Sequence, residues 1–339
     1  MRRRREPLHV KVALLFNRRP PLPLGGPGPP DDAFEEFDPP ETIDALASAL
    51  APLGEITPVP ADRNLAGRLS AGEYDFAFNI AEGFGRRCRE AHAAAVCEML
   101  GVPYTHSDPL TLALTLDKAL ARRVVSPDVP VTRAVLVDGW EQDDALEGLP
   151  YPAVVKPNDE GSSKGIRDDS LASGPDEARR LAARLRGLHG CPVLVEQYLP
   201  GPEVTVGVMG NGRRVRILGA MEIAPAVPNG PFLYSVEAKR NFRERVRYFI
   251  PPRVPERTRR EIGRLALTAY RLLGCRDVAR LDFRLDAEGR PHFLECNPLP
   301  GLNPDTSDIV ILSAPALGYP DLVCGVFREA ALRHGREVP

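Results

Sequence analysis

Two stretches of this 339-residue chain carry side chains that could do chemistry together. In "VVKPNDEGSSKGI", residues 154–166, an apolar run of strand type ends on Lys156, then Pro157, then a loop of small and polar residues around Gly161, Ser162, Ser163 and Gly165. A lysine at the lip of a buried strand gains nothing from packing, and a glycine-serine loop beyond it can fold its backbone N–H groups over phosphate oxygens. The loop is not a P-loop, because G-x-x-x-x-G-K-[ST] is absent. The second stretch, "VARLDFRLDAEGRPHFLECNP", residues 278–298, reads as a hairpin. With the turn centred on Ala287 and Glu288, Arg280 lies opposite Glu295 and Asp282 opposite Phe293. Alternation then puts Arg280, Asp282, Phe293, Glu295 and Asn297 on one side. Two carboxylates and an amide oxygen converging from neighbouring strands make a hard-oxygen site suited to Mg²⁺ that also holds phosphates. The same residues would equally serve as a solvated, salt-bridged strand face, and one bulge would change which side chains share a side. Lys118 in "TLDKAL" and Lys239 in "SVEAKRNF" are further separated cations.

The elements that must position these groups fall into two patterns. "HVKVALLFN" (9–17) and "YDFAFNI" (74–80) read as strands, "ETIDALASALAPLG" (41–54) and "REAHAAAVCEMLG" (89–101) as helices closed by glycine, and "VPYTH" (102–106) as a third strand. "DPLTLALTLDKALARRVV" (108–125) reads as one helix with Asp108 as cap and Pro109 in its first position. Alternating strand and helix predict an open, largely parallel α/β unit for the first 110 or so residues. The connector "RRPPLPLGGPGPPDDAFEEFDPP" cannot form a dinucleotide fingerprint, because Pro27, Pro29 and Pro30 occupy the turn that must run into a helix. A structureless connector of that length predicts a mobile or lid-like loop. From about residue 130 the pattern is α+β: strands flanking one helix, a strand-turn-strand over 201–223, an amphipathic helix over 255–275, and the final hairpin.

Composition excludes other classes. With 44 Lys+Arg against 46 Asp+Glu the formal charge is -2, so no polyanionic partner is implied, and the arginines of "PERTRREIGRLALTAYRLLG" are offset by acids. No nucleic acid is expected. No run of about 18 apolar residues occurs, so no membrane span is expected. "MRRRRE" lacks the apolar segment of a signal peptide and reads as a solvated tail. The 6 cysteines show no C-x-x-C spacing and read as reduced thiols, which predicts a cytoplasmic protein. The 6 histidines show neither metal nor triad spacing, and the loop holding Trp140 suggests no stacking platform.

In order along the chain, "FNIAEG", "GVPYTHSDPLTLALTLDK", "VVKPNDEGSSKGI", "LVEQYLPGPEVTV", "EAK", "LGCRDVARLDF" and "LECNPLPG" resemble the ATP-grasp ligases, and among them the D-alanine–D-alanine ligases. The likeness covers roughly two thirds of the chain, from Phe78 to Gly301. It implies an ATP-grasp fold behind an N-terminal open α/β domain: 1–113 for substrate, 114–197 as the central grasp subdomain, and 198–339 carrying a metal site. It implies ATP held between two antiparallel sheets, with Lys118 and Lys156 on the phosphates and Glu160, Gly161, Ser162 and Ser163 in a closing flap. Glu196, Gln197, Tyr198 and Leu199 would line the adenine pocket, Glu203 would face the ribose, and Lys239 would reach the γ-phosphate. Asp282, Glu295 and Asn297 match the family's ligands for Mg²⁺, with Mn²⁺ as an alternative; Arg280, Lys239 and Ser163 match its catalytic residues. The activity so implied is formation of an amide bond through an acyl phosphate, from amino acid, amine or short peptide substrates, with a homodimer as the assembly left open. Two alternatives stand beside it: a ligase joining dissimilar amino acids or amines, and an ATP-binding module without catalysis.

The chain also departs from the family. After Gly301 comes "LNPDTSDIVILS", where Thr306 and Ser307 offer hydroxyls to an acceptor while Asp305 and Asp308 would repel a free carboxylate. Arg240 replaces the tyrosine after "EAK". The proline-rich connector replaces a glycine-rich loop, leaving Glu35, Glu36 or Glu41 to stand in for its glutamate. Glu82 stands where histidine is common; with Glu90 it could grip a substrate ammonium, or both could be exposed carboxylates.

Overall fold

The computed structural model describes residues 10–20, 30–139 and 143–336. "MRRRRE", His9, Trp140 and the middle of the proline-rich connector lie outside them.

The first unit is built on β1 (Val10–Phe16), followed by α1 (Pro40–Leu50), β2 (Gly54–Pro60), α2 (Leu65–Gly72), β3 (Phe76–Asn79) and α3 (Ala91–Leu100). The strands are parallel in the order β2-β1-β3. Because side chains alternate, Val12, Leu14 and Phe16 enter the core beneath α1 while Ala13 and Leu15 enter the one beneath α2 and α3. The strand expected over 102–106 is reduced to a bridge between Ala77 and Tyr104. His106, at φ 70°, turns the chain away at once. The helix expected over 108–125 is broken into α4 (Pro109–Leu116) and α5 (Lys118–Val125). Asp108 caps α4 through Thr111 N at 2.9 Å. At the break, Asp117 leaves the helical region and its carboxylate takes Leu120 N (3.0 Å) and Asn158 Nδ2 (2.8 Å).

Next come β4 (Ala134–Val137), α6 (Asp143–Glu147), β5 (Ala153–Pro157), β6 (Leu171–Ala172), α7 (Pro175–His189) and β7 (Val193–Gln197), whose strands form an antiparallel sheet in the order β4-β7-β5-β6. The second antiparallel sheet comprises β8 (Glu203–Met209), β9 (Arg216–Pro225), β10 (Val246–Phe249), β11 (Val278–Leu285) and β12 (Pro291–Asn297), ordered β10-β9-β8-β11-β12. Between and after them lie α8 (Val236–Arg240), α9 (Phe242–Arg245), α10 (Glu256–Leu272), α11 (Asp308–Ser313) and α12 (Tyr319–Arg333). Ile262, Leu265, Ala266 and Ala269 of α10 cover β8 and β11. Leu322, Val326, Phe327 and Ala330 of α12 return to the first unit and pack with Leu46 and Leu50 of α1. No helix among the described residues is long and apolar enough to cross a membrane.

Candidate active site

β5 and β7 run antiparallel with Val154 opposite Glu196, so Lys156 and Glu196 lie diagonally on one face of the sheet. The Lys156 ammonium is 2.5 Å from Glu196 Oε2. Arg122 of α5 and the Thr132 hydroxyl hold the other oxygen. Burial alone would raise the Glu196 pKa, but Arg122 and Lys156 bring it down to about 2. Lys118, the first residue of α5, donates to the Glu160 carbonyl and lies 3.5 Å from Glu295 Oε2. Arg122 follows one turn later on the same helix face, a spacing visible in the sequence but not singled out there.

The terminal hairpin carries one more device than its sequence suggested. At the turn the pairing is Leu285 with Pro291, Arg284 with His292 and Phe283 with Phe293; beyond a bulge it is Asp282 with Glu295 and Arg280 with Asn297. Leu294 is therefore the extra residue. Phe293 consequently leaves the charged face, contrary to the expectation above, and packs against Phe283 in the core with ring centroids 5.9 Å apart. Without the bulge the same turn would set Leu294 opposite Asp282 and send Glu295 to the far side. With it, Asp282, Glu295, Arg280 and Asn297 share one face. Arg280 Nη2 is 2.9 Å from Asp282 Oδ2, its Nη1 3.4 Å from Asp308, and Asn297 Nδ2 3.2 Å from Asp282. Thr205 donates to Asp282 at 2.5 Å. Burial, reinforced by Glu295, raises the Asp282 pKa; burial also opposes ionisation of Glu295, but Lys118 and Lys156 bring it to about 2. Among the described residues no three His, Cys, Asp or Glu side chains form a metal cluster, so a cation here would rest on two carboxylates and an amide. That donor set is all oxygen and fits Mg²⁺ or Mn²⁺; the neighbouring Cys296 sulfur faces Cys275 instead, at 3.5 Å.

The loop after β5 takes the left-handed backbone at Ser162 (φ 48°), Ser163 (φ 60°) and Gly165 (φ 73°). Of the three glutamates considered for the connector, Glu36 is the one that reaches it: its carboxylate accepts from Gly161 N at 2.6 Å, from Lys164 at 3.2 Å and from Arg89 at 2.8 Å. A Cβ on Gly161 would sit 2.6 Å from Glu36 Oε1, so the contact requires glycine. Glu35 pairs with Arg240 at 2.7 Å, and Glu41 is exposed on α1. Asp32 accepts from Gly165 N at 2.8 Å. The described end of the connector is thus strapped across the loop. The Ser163 hydroxyl donates to the Tyr234 carbonyl at 2.7 Å, and Ser162 stays exposed.

Two adjoining cavities meet at Lys239, Arg280, Glu295, Tyr234 and Asp308. Lys156, Ser163, Glu196, Gln197, Tyr198, Leu199, Glu203 and Asp282 line the first, whose apolar wall is Val154, Ile166, Ile223, Leu233 and the bulged Leu294. Arg284, passed over in the sequence although it continues the alternation of Arg280 and Asp282, holds this wall together. It donates to the Leu199 carbonyl at 2.7 Å, pairs with Glu203 at 3.1 Å and covers the Tyr198 ring at 4.6 Å. Burial, helped by Asp282 and Glu295 against Arg284, pushes the Glu203 pKa up to about 7. Lys239 lies 5.0 Å from the Tyr234 ring, its pKa lowered by burial and by Arg280. The second cavity, about 520 Å³, is lined by Lys118, Glu160, Gly161, Ser162, Glu82, Glu90, Asn297, Gly301, Thr306 and Ser307. Asp308 also lines both, 3.2 Å from the Tyr234 hydroxyl, whereas Asp305 is exposed.

The model for the C-terminal part of D-alanine–D-alanine ligases matches residues 129–326. A D-alanine–D-alanine ligase of Bordetella petrii is 34% identical over 276 residues, covering 80% of each chain. That of an Anaeromyxobacter species is 34% identical over 301 residues, 85% of this chain and 91% of its own. The chain belongs to the D-alanine–D-alanine ligase family. Among solved structures, the ligase of Bacillus anthracis complexed with ATP superposes with a TM-score of 0.72 at 20% identity, covering 96% of this chain and 97% of its own. The VanG D-Ala:D-Ser ligase of Enterococcus faecalis gives 0.70 at 18% identity, covering 95% and 99%. The fold is the ATP-grasp fold of that family, with the two antiparallel sheets as its jaws.

Proposed function

We propose that the first cavity receives ATP and the second the two molecules to be joined, the γ-phosphate lying where the cavities meet. The protein is an ATP-dependent, ADP-forming ligase that makes an amide bond. One observation carries the site assignment: Lys118, Lys156, Lys239 and Arg280, from four separate segments, converge with Asp282, Glu295 and Asn297 beneath one glycine-serine loop. A carboxylate is a poor acyl donor, so the donor acid first attacks the γ-phosphate, giving an acyl phosphate and ADP. Lys118, Lys156 and Lys239 take up the charge of the phosphates. Asp282, Glu295 and Asn297 would hold Mg²⁺ or Mn²⁺, which when bound neutralises charge on the transferring group. The acceptor amine then attacks the acyl carbon, Arg280 stabilises the oxyanion, and phosphate leaves. Loop 160–165, with Ser163 tied to Tyr234 and Gly161 to Glu36, excludes water from the acyl phosphate. Residues 1–113 supply the substrate wall, 114–197 the jaw with Lys118 and Lys156, and 198–339 the jaw with the metal set.

Asp308 favours an acceptor amine without a free carboxylate over a second amino acid. It faces the acceptor side, where a free carboxylate would meet its charge, and Arg280 is already paired with it. ADP release from Mg·ATP across a panel of amino acids, dipeptides and amines, with products read by mass spectrometry, tests the assignment. Absence of ADP release from every pair, with ATP still bound tightly, would leave a nucleotide-binding module.

A further inference from the structure

The ligase reading leaves several acids of the second cavity unused. The cations lining that cavity are engaged: Arg19 with the Phe37 and Glu35 carbonyls, Arg240 with Asp31 and Glu35, Lys118 with Glu160 and Glu295, Arg280 with Asp282 and Asp308. Lys239 faces the Tyr234 ring on the phosphate side. Three carboxylates remain without a hydrogen bond or ion pair among the described residues: Asp38, Glu82 and Glu90. Glu90 is only 7% exposed and opens into the cavity. A buried carboxylate with no partner is costly to keep unless something cationic completes it.

We propose that this chamber binds a donor amino acid carrying a second basic nitrogen, a diamino- or guanidino-carboxylic acid, whose two cations meet Glu90, Glu82 and Asp38. This rests on the ligase reading above. None of the three has a counter-ion at hydrogen-bond distance among the described residues, and burial with mutual repulsion favours their protonated forms; a single α-ammonium can ionise and pair one of them, whereas a second cation pairs another. The three also lie close together: all line the one cavity, and Glu82 feels the charges of both Glu90 and Asp38. Burial, with these like charges added and Arg89 opposing, raises Glu82 well above the carboxylate range; burial opposed by Arg19 takes Asp38 to about 7, and burial opposed chiefly by Arg89 takes Glu90 to about 7. The placement suits the donor: Glu90 lies within the field of Lys118 and Glu295, while the acceptor segment with Thr306, Ser307 and Asp308 forms another part of the lining.

The test uses the full chain with Mg·ATP. ADP release is measured with alanine, serine, 2,3-diaminopropionate, ornithine, lysine and arginine of both configurations, each alone and with a panel of amine acceptors. Calorimetric binding of the same acids is measured beside a non-hydrolysable ATP analogue. At least one basic acid should exceed alanine by about 100-fold in kcat/KM and about 30-fold in affinity, the scale of a buried charge pair gained. Glu90→Gln and Glu82→Gln should each reduce that preference about tenfold or more; if either fails to fold, Asp38→Asn carries the comparison. Alanine used as well as every basic acid, or a preference untouched by all three substitutions, overturns the proposal. ADP release from no pair, with basic acids still bound preferentially, would remove the ligase reading and keep the chamber; loss of both removes the two together.

Discussion

Replacing Lys156 by Met separates a phosphate-binding lysine from one that only balances Glu196. The ammonium touches Glu196 Oε2 at 2.5 Å, but that carboxylate also keeps Arg122 and Thr132. The variant therefore does not strand a buried charge. It loses one charge-assisted hydrogen bond, about 1–3 kcal/mol, while methionine retains most of the apolar stem. Activity should fall much further, because a cation aimed at transferring charge in a dry cleft contributes about 3–4 kcal/mol to the transition state, or about 100- to 1,000-fold in kcat/KM. Arg122→Met should show the opposite balance. Arg122 lines neither principal cavity, and its removal leaves Glu196 to Lys156 and Thr132 but takes away two buried charge-assisted hydrogen bonds, to Glu196 and to the Thr132 carbonyl, costing about 3–5 kcal/mol of stability. Urea unfolding and coupled ADP-release assays on both variants give the comparison. If Lys156→Met kept kcat/KM within about threefold of the parent, less than 1 kcal/mol, the lysine would be a counter-ion to Glu196 and nothing more.

Three further outcomes are expected. Glu295→Gln removes one carboxylate of the metal set, and Mg²⁺ titration of ADP release should show its half-saturating concentration raised about 10- to 100-fold; chelation should abolish turnover and Mg²⁺ or Mn²⁺ restore it. Asp308→Asn removes the charge facing the acceptor and should improve kcat/KM for acceptors bearing a free carboxylate by about tenfold relative to simple amines; an unchanged ratio would take Asp308 out of acceptor choice. His106, fully buried with its pKa lowered to about 3 by burial and Arg333, stays neutral in the fold while the unfolded chain protonates it near pH 6.5. Between those values the unfolded state binds more protons, so this residue's contribution to stability falls as pH falls, by up to about 1.4 kcal/mol per unit. Urea unfolding at pH 7.5 and 5 should show that slope difference between the parent and His106→Asn, a residue tolerant of the positive φ; identical slopes would contradict it.

The amino-acid order by itself determined the class of the site. Strand alternation places Arg280 with Asp282 and Glu295 with Asn297 because the members of each pair stand two positions apart on one strand, and that relation survives any shift of register between the strands. The lysine at the end of β5 and the glycine-serine loop beyond it are likewise local facts, as are the parallel first unit and the helix endings at Gly101 and Gly274. What only the tertiary structure decided were relations between distant segments. The extra residue at Leu294 restores Glu295 to the face of Asp282, and periodicity has no term for a bulge. The break at Asp117 is held by Asn158 from after β5, so Lys118 opens a new helix rather than continuing an old one. Glu36 is distinguished from Glu35 and Glu41 only by where the connector crosses the loop, and Glu90 from an ordinary surface acid only by burial without a partner. Composition and spacing report what a residue can do; the charges and walls that reach it from remote parts of the chain decide what it does.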